Sequence, residues 1–453
     1  MKNIFLLLLI VSAMSCQPGD KENDKAIHLI TLDPGHFHAA LVQKAMYIDV
    51  DSVVHVYAPE GSDLQLHLGR IEAFNKRTDN PTHWKEEVYT GNDYFEKMLA
   101  EKKGNTVVLA GNNQKKTAYI LRSLEAGFNV MADKPMAINS NDFETLKKAF
   151  ETAKQKDLLL YDIMTERFEI TTILQRELSL MPEVFGVLEK GTADNPAMII
   201  ESGHSFYKYV SGSVLTRPAW FMDAAQQGEG ITDVTTHLVD LVQWVCFPEQ
   251  SLDYQKDINV ETAKRWPTIM TLSQFKTITK LDSFPSYFKN NLLNDTTLQV
   301  WSNGEINYQV RGVQAKVAVK WDYQGPGGND THYAIMRGTK ASLVIRQGME
   351  QQYKPVLYIE PVATDMAYEK NLLEQVKKIQ ATYPGIELKK LDKGWEVIIP
   401  DKYKEGHESH FARVTENYLN YFKNQNMPAW EVPNMLAKYY TTTKALEIAL
   451  KTN

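Results

Sequence analysis

Cysteine is nearly absent. Cys16 and Cys246 are the only two in 453 residues. That excludes a disulfide framework and a cysteine-rich metal site, and Cys246 reads as a small apolar packing residue. An excess of positive charge is absent as well. Lys and Arg total 50 against 56 Asp and Glu, a formal charge of -6, so no basic footprint for nucleic acid exists. The apolar run Ile4 to Val11 is too short to span a bilayer. No internal repeat or low-complexity tract is found. What is present is ordinary for a globular protein: 43% apolar and 23% charged residues. The length exceeds one ordinary core and implies two domains.

The start reads as a processing segment. Lys2 gives a short positive end, Ile4 to Val11 an apolar stretch, and SAMSCQPGD then leads through small residues to Cys16. Cys16 resembles the lipidated cysteine of bacterial lipoproteins; the bland alternative is an ordinary signal peptide with a chance cysteine. Gln17 to Lys25 is polar and suits a flexible tether. The expectation is an exported chain, lipid-anchored through Cys16, on the periplasmic side of a bacterial membrane or at the cell surface.

From Ala26 short apolar strands alternate with amphipathic helices. Strands are predicted at Ile27 to Leu32, Val53 to Val56, Thr106 to Ala110, Asn129 to Ala132 and Leu158 to Tyr161. Helices are predicted at Ala39 to Met46, Thr117 to Ala126, and Asp142 to Lys154 with Ser140 as cap. This is the pattern of a doubly wound parallel sheet, α/β in class and Rossmann-like, over 26–168. After Phe168 the strands lengthen and alternate, as in Gln299 to Val310 and Gln314 to Tyr323. That predicts an α+β domain over 169–453 with an open, mostly antiparallel sheet. Helices His410 to Asn424 and Asn434 to Lys451 close it. Phe247 to Asp295 lacks periodicity and reads as an inserted loop system.

Three motifs carry a resemblance. NVMADKPMA (Asn129 to Ala137) is similar to the Glu-Lys-Pro motif of the Gfo/Idh/MocA oxidoreductases, with Asp133 for Glu. GEGITDVTTHLVD (Gly228 to Asp240) resembles that family's Gly-rich turn followed by Asp-x-x-x-His-x-x-Asp. RGTKASLVI (Arg337 to Ile345) resembles its late Gly-Thr strand turn, with Ala341 in place of the second glycine. The resemblance covers nearly the whole mature chain. It implies hydride transfer between a secondary hydroxyl of a sugar or glycoside, the 3-hydroxyl among the candidates, and NAD or NADP. It implies catalytic roles for Lys134, Asp233 and His237. His237 would take the hydroxyl proton, Asp233 would orient it or bind a neighbouring hydroxyl, and Lys134 would polarise the same oxygen beside the nicotinamide. The spacing agrees, because Asp233, His237, Asp240 and Trp244 share one helical face, and histidine suits general base work near neutral pH. The bland alternative is a surface histidine among ordinary helix charges, and for Lys134 a solvated helix entry before Pro135.

The cofactor turn departs from the family. A dinucleotide fingerprint needs glycines where backbone approaches diphosphate; DPGHFH keeps only Gly35 and offers Asp33 and His38 at the flanking glycine positions. Three readings of His36 and His38 stay open: donors to phosphate, a structural turn, or a metal pair with Asp33. No metal is assigned. Gly35, His36, His38, Gly111, Asn112, Asn113 and Lys134 are the candidate nucleotide contacts. GHSFYKY and RPAW offer His204, Lys208, Arg217 and Trp220 as sugar contacts, since sugars take aromatic faces plus hydrogen-bond donors; each also reads as a core or turn residue. GHESH, with His407 and His410, reads as a helix start because no third ligand is evident. A nucleotide needed outside the cytoplasm must be held tightly. Two functions therefore stay open, an exported sugar oxidoreductase and a non-catalytic glycan-binding protein on a degenerate oxidoreductase scaffold. The expected partners are a small sugar or glycoside and, through the lipid alone, a membrane; a homo-oligomer is compatible with either.

Overall fold

The computed structural model describes residues 27–210, 213–325 and 329–452. The signal segment, the tether and Cys16 lie outside the described residues.

From Leu29 to Ile163 strand and helix alternate: β1 (Leu29–Leu32), α1 (His38–Leu41), β2 (Val53–Tyr57), α2 (Ser62–Lys76), β3 (Lys85–Tyr89), α3 (Tyr94–Glu101), β4 (Thr106–Leu109), α4 (Asn113–Glu125), β5 (Asn129–Asp133), α5 (Ser140–Lys156) and β6 (Leu160–Ile163). The six strands pair in the order β3-β2-β1-β4-β5-β6, all parallel. β1 (LITL) and β4 (TVVL) are buried at every position, as central parallel strands covered on both faces must be. Strand order reverses between β1 and β4, which places a ligand crevice at their carboxyl ends.

Local departures from the expected pattern have identifiable causes. The helix expected over Ala39 to Met46 stops at Leu41. Arg77 takes the carbonyl of Lys44 at 2.7 Å, and the chain turns back so that Val50 bridges to Ile27. Asn139, not Ser140, caps α5 by accepting from the Asp142 amide at 3.0 Å. The unforeseen β3 is an edge strand whose charged KEEVY sequence blunts the open edge.

The second half contains α6 (Ile170–Ser179), β7 (Met198–Ser205), β8 (Tyr209–Val210), β9 (Ser213–Val214), α7 (Ala224–Gln227), α8 (Thr235–Cys246), β10 (Ile258–Thr271), α9 (Leu272–Thr279), β11 (Leu292–Asn294), β12 (Thr297–Val310), β13 (Val313–Asp322), β14 (Thr331–Arg337), β15 (Ala341–Gln347), β16 (Val356–Pro361), α10 (Met366–Thr382), β17 (Glu387–Leu391), β18 (Gly394–Ile398), α11 (His407–Asn424) and α12 (Glu431–Thr452). An open sheet runs β10-β12-β13-β7-β14-β15-β16-β18-β17, with β11 on β12. Every pairing is antiparallel except β13 with β7. The stretch read as inserted loops contains β10, a 14-residue strand. Register shifts between Val260 and Thr262 and between Trp266 and Thr268 break its alternation, which hides it from a period-two reading.

The last two helices return to the first domain. Phe411, Val414 and Tyr418 of α11 and Met435 and Tyr439 of α12 belong to the same buried cluster as β1, β4 and β5. Ala437, Ala445 and Leu446 on another face of α12 join the core of the second sheet. A buried charge network crosses the same junction. Arg167 forks onto Asp240 with two bonds of 2.7 Å and onto Glu431 at 3.0 and 3.1 Å. Lys438 reaches Asp162 at 2.7 Å and Asp240 at 2.8 Å. Burial alone would raise the Asp240 pKa, but Arg167 and Lys438 hold it far below the usual carboxylate range.

Candidate active site

β5 delivers Asp133 and Lys134 to the crevice at its carboxyl end. The tight turn Gly228–Gly230 delivers Asp233 from the opposite side. Gly230 has no room for a side chain, since a Cβ there would sit 1.8 Å from the Ser302 carbonyl oxygen. Asp233 Oδ1 accepts from Lys134 Nζ at 2.5 Å and Oδ2 from Gln227 Nε2 at 3.0 Å. His237, one helical turn on, lines the same cavity as Lys134 and Asp233. Burial first, then the Lys134 charge, pushes the His237 pKa well below its ordinary value, so the imidazole is neutral at neutral pH. Its Nδ1 has no hydrogen-bond partner among the described residues.

The cavity has a volume of about 450 Å³ and is walled by both domains. On the sheet side Asp330 Oδ2 holds Lys208 Nζ at 2.6 Å and lies 3.5 Å from His204 Nδ1. The His204 ring stacks on Trp321 with centroids 4.9 Å apart. His204, Lys208 and Arg217 line the cavity, as do Glu166 and Glu169, which sequence reasoning missed. Burial pushes Glu169 up to about 7. Arg217 is 6% exposed, donates to the carbonyls of Phe206 and Ser205, and stacks on Phe221. Its guanidinium therefore builds the wall as much as it faces the cavity. Asp330 immediately precedes β14, and nothing in its local sequence marks it.

Trp220 does not line this cavity. Its indole donates to Asp63 at 2.8 Å and lies over Gly35, where a Cβ would meet its Cζ2 at 2.8 Å. The Gly35 and His36 amides both donate to the Ala110 carbonyl, at 3.2 and 3.1 Å. Asp33 takes a left-handed φ of 47°, and its carboxylate accepts from the Tyr119 and Tyr94 hydroxyls at 3.1 and 3.3 Å. Gly111 packs on this turn, and a Cβ there would lie 2.2 Å from the Asp33 carbonyl oxygen. Asn112 and Asn113 reach across the domains to Gln226 and to the Gln227 carbonyl, at 2.9 and 2.7 Å. His36 and His38 turn toward Asp133 and line the cavity.

Residues 34–161 match the family described as "Oxidoreductase family, NAD-binding Rossmann fold". Residues 174–450 match an oxidoreductase C-terminal domain family. A crystal structure of an oxidoreductase-family protein from Parabacteroides merdae ATCC 43184 is 56% identical, with a TM-score of 0.93 over 95% of this chain and 99% of that one. The chain belongs to the Gfo/Idh/MocA oxidoreductase family. More distant structures share the family fold. Levoglucosan dehydrogenase in complex with NADH and levoglucosan is 11% identical, with a TM-score of 0.59 over 94% of this chain and 98% of its own. KijD10 from Actinomadura kijaniata, a 3-ketoreductase in complex with NADP and TDP-benzene, is 13% identical, with a TM-score of 0.54 over 92% and 96%. No curated protein matches the chain.

As a Gfo/Idh/MocA member the chain is an oxidoreductase, and its first domain is the family's NAD-binding Rossmann domain. The residues fit that nucleotide unequally along its length. At the carboxyl end of β5 Lys134, Asp233 and His237 meet at an open cavity. At the diphosphate end the glycine turn leads into a one-turn helix, its amides are spent on Ala110, and Trp220 covers Gly35.

Proposed function

We propose that this chain oxidises a secondary hydroxyl of a sugar or glycoside, the 3-hydroxyl first among the candidates, with a tightly held NAD or NADP. The observation that carries this reading is the convergence of Lys134, Asp233 and His237 on one cavity, with the histidine neutral. The sugar ligands of the levoglucosan dehydrogenase and the reaction named for the 3-ketoreductase point the same way. The bound nicotinamide supplies the hydride acceptor. Neutral His237 accepts the hydroxyl proton. Lys134 donates to the same oxygen, and Asp233, itself fixed by Gln227, sets the ammonium in place. His204 and Lys208, tied through Asp330, are available to the remaining hydroxyls. The chain is proposed to work lipid-anchored through Cys16, on the periplasmic side of a bacterial membrane or at the cell surface.

One observation favours a second reading, a glycan-binding protein without turnover: the closure of Trp220 over Gly35. Denaturing the purified protein and assaying released nucleotide separates the two. Stoichiometric NAD(H) or NADP(H), with keto-sugar formation by the native protein, supports the enzyme. An empty chain that binds sugar and never oxidises it supports the binding protein.

A further inference from the structure

His38 stands where the third fingerprint glycine belongs, and Asp133 where the family has glutamate. With His36 these residues meet at one point. His38 Nδ1 lies 2.9 Å and His36 Nδ1 3.6 Å from the same oxygen, Asp133 Oδ2. One ligand atom from each of the three lies within 4.8 Å of the others. An ion bound at about 2.0–2.1 Å to nitrogen and oxygen sets neighbouring ligand atoms roughly 3.0 Å apart in octahedral and roughly 3.3 Å apart in tetrahedral geometry. The two observed separations bracket those values.

A plain His–Asp hydrogen bond accounts for only part of this arrangement. It uses His38 and one carboxylate oxygen. Asp133 is 3% exposed, and its second oxygen, Oδ1, has no hydrogen-bond partner among the described residues. His36 Nδ1 receives only a long contact of 3.4 Å from the His38 amide. Burial holds both imidazoles neutral, with a lone pair to offer. Lys134 is paired with Asp233 at 2.5 Å, and buried Lys116 directs its ammonium to the Asp133 carbonyl oxygen at 2.9 Å. His407, from the GHESH motif, stands on the open side with its ring 5.2 Å from that of His38. Two histidine motifs far apart in sequence thus face each other across one point. His36, His38 and His407 also line the cavity that holds His237.

We propose that His36, His38 and Asp133 bind a first-row divalent metal ion of the zinc type, with an open coordination position facing the cavity. Two imidazoles and a carboxylate are the donor set such ions prefer, and three protein ligands leave room for a substrate oxygen. Metal binding at this site can be measured with neither nucleotide nor sugar present.

The test uses the full mature chain without a polyhistidine tag, stripped with chelator and titrated with Zn²⁺ in a calorimeter, with neither nucleotide nor sugar present. One equivalent should bind. His36→Gln and Asp133→Asn should each weaken binding by at least ~100-fold, and His55→Gln, on the far strand, should leave it unchanged. The visible spectrum of Co²⁺ added to the stripped protein provides a second readout that His36→Gln should alter. Absence of saturable uptake by the wild type overturns the site, as does His36→Gln that binds Zn²⁺ and colours with Co²⁺ like the wild type. A chain that never oxidises a sugar still gives either answer.

Discussion

His237 shows how one side chain is prepared for proton transfer by its surroundings alone. Burial and the Lys134 charge keep it neutral. His237→Ala should lower keto-sugar formation by about a hundred- to ten-thousandfold, the usual worth of a general base. It should leave retained nucleotide intact, because the residue sits on α8, across the cavity from the Gly35 turn. Full activity of the variant on every accepted sugar would place the base elsewhere. A second residue-scale expectation concerns Glu86. Burial pushes its carboxyl up to about 7 from an ordinary 4.5. Between these values the unfolded chain ionises first while the folded chain keeps its proton, so stability falls as pH rises from about 4.5 to 7 and stays reduced above. Glu86 Oε2 and Gln43 Oε1 are both unpartnered, and Gln43 Nε2 already donates to Glu86 Oε1 at 2.6 Å. Glu86→Gln supplies the missing donor without a charge. Urea unfolding should show it more stable than the wild type by about 1–3 kcal/mol at pH 8 and unchanged at pH 4; equal gains at both pH values would remove the ionisation argument.

Among the elements, the turn after β1 departs from the family's glycine pattern, and Trp220 covers it. The indole adds one hydrogen bond to Asp63 and its packing on Gly35. If a nucleotide must displace it, Trp220→Ala should tighten nucleotide binding roughly tenfold, the return of about 1.4 kcal/mol of closure energy. Weaker binding would instead mean that the indole stacks on the nucleotide. The same turn marks the limit of what sequence discloses. β1, β4 and β5 are legible because central parallel strands are mostly apolar and buried, and the Lys134, Asp233 and His237 motifs are legible because their spacing survives. β10 is not, since two register shifts erase its alternation. Trp220 of RPAW reads as a sugar platform, and only the packing of one domain on the other carries it to Gly35. Asp330 and Glu169 gain their place from strand register and burial, which no local pattern records.

At the scale of the whole molecule, the two domains are fastened by buried charge. Lys438 is 0% exposed and serves Asp162 of the first domain and Asp240 of the second. Lys438→Met should cost about 3–5 kcal/mol in thermal or urea unfolding, because it leaves carboxylates buried without their cation. A loss below about 1 kcal/mol would mean that Arg167 alone suffices for Asp240. The Asp-x-x-x-His-x-x-Asp motif is thereby split between two roles. Asp233 and His237 face the cavity, and Asp240 holds the domains in the position that makes the cavity.

The return of α11 and α12 to the first sheet also sets a timetable. Phe411, Tyr418, Met435 and Tyr439 complete a core that begins at Ile27, so the ribosome has made nearly the whole polypeptide before its earliest strands can be fully covered. Contacts this distant in sequence fold slowly. For a chain proposed to be exported, such late completion of the first core would keep it open for a translocation channel that threads unfolded polypeptide.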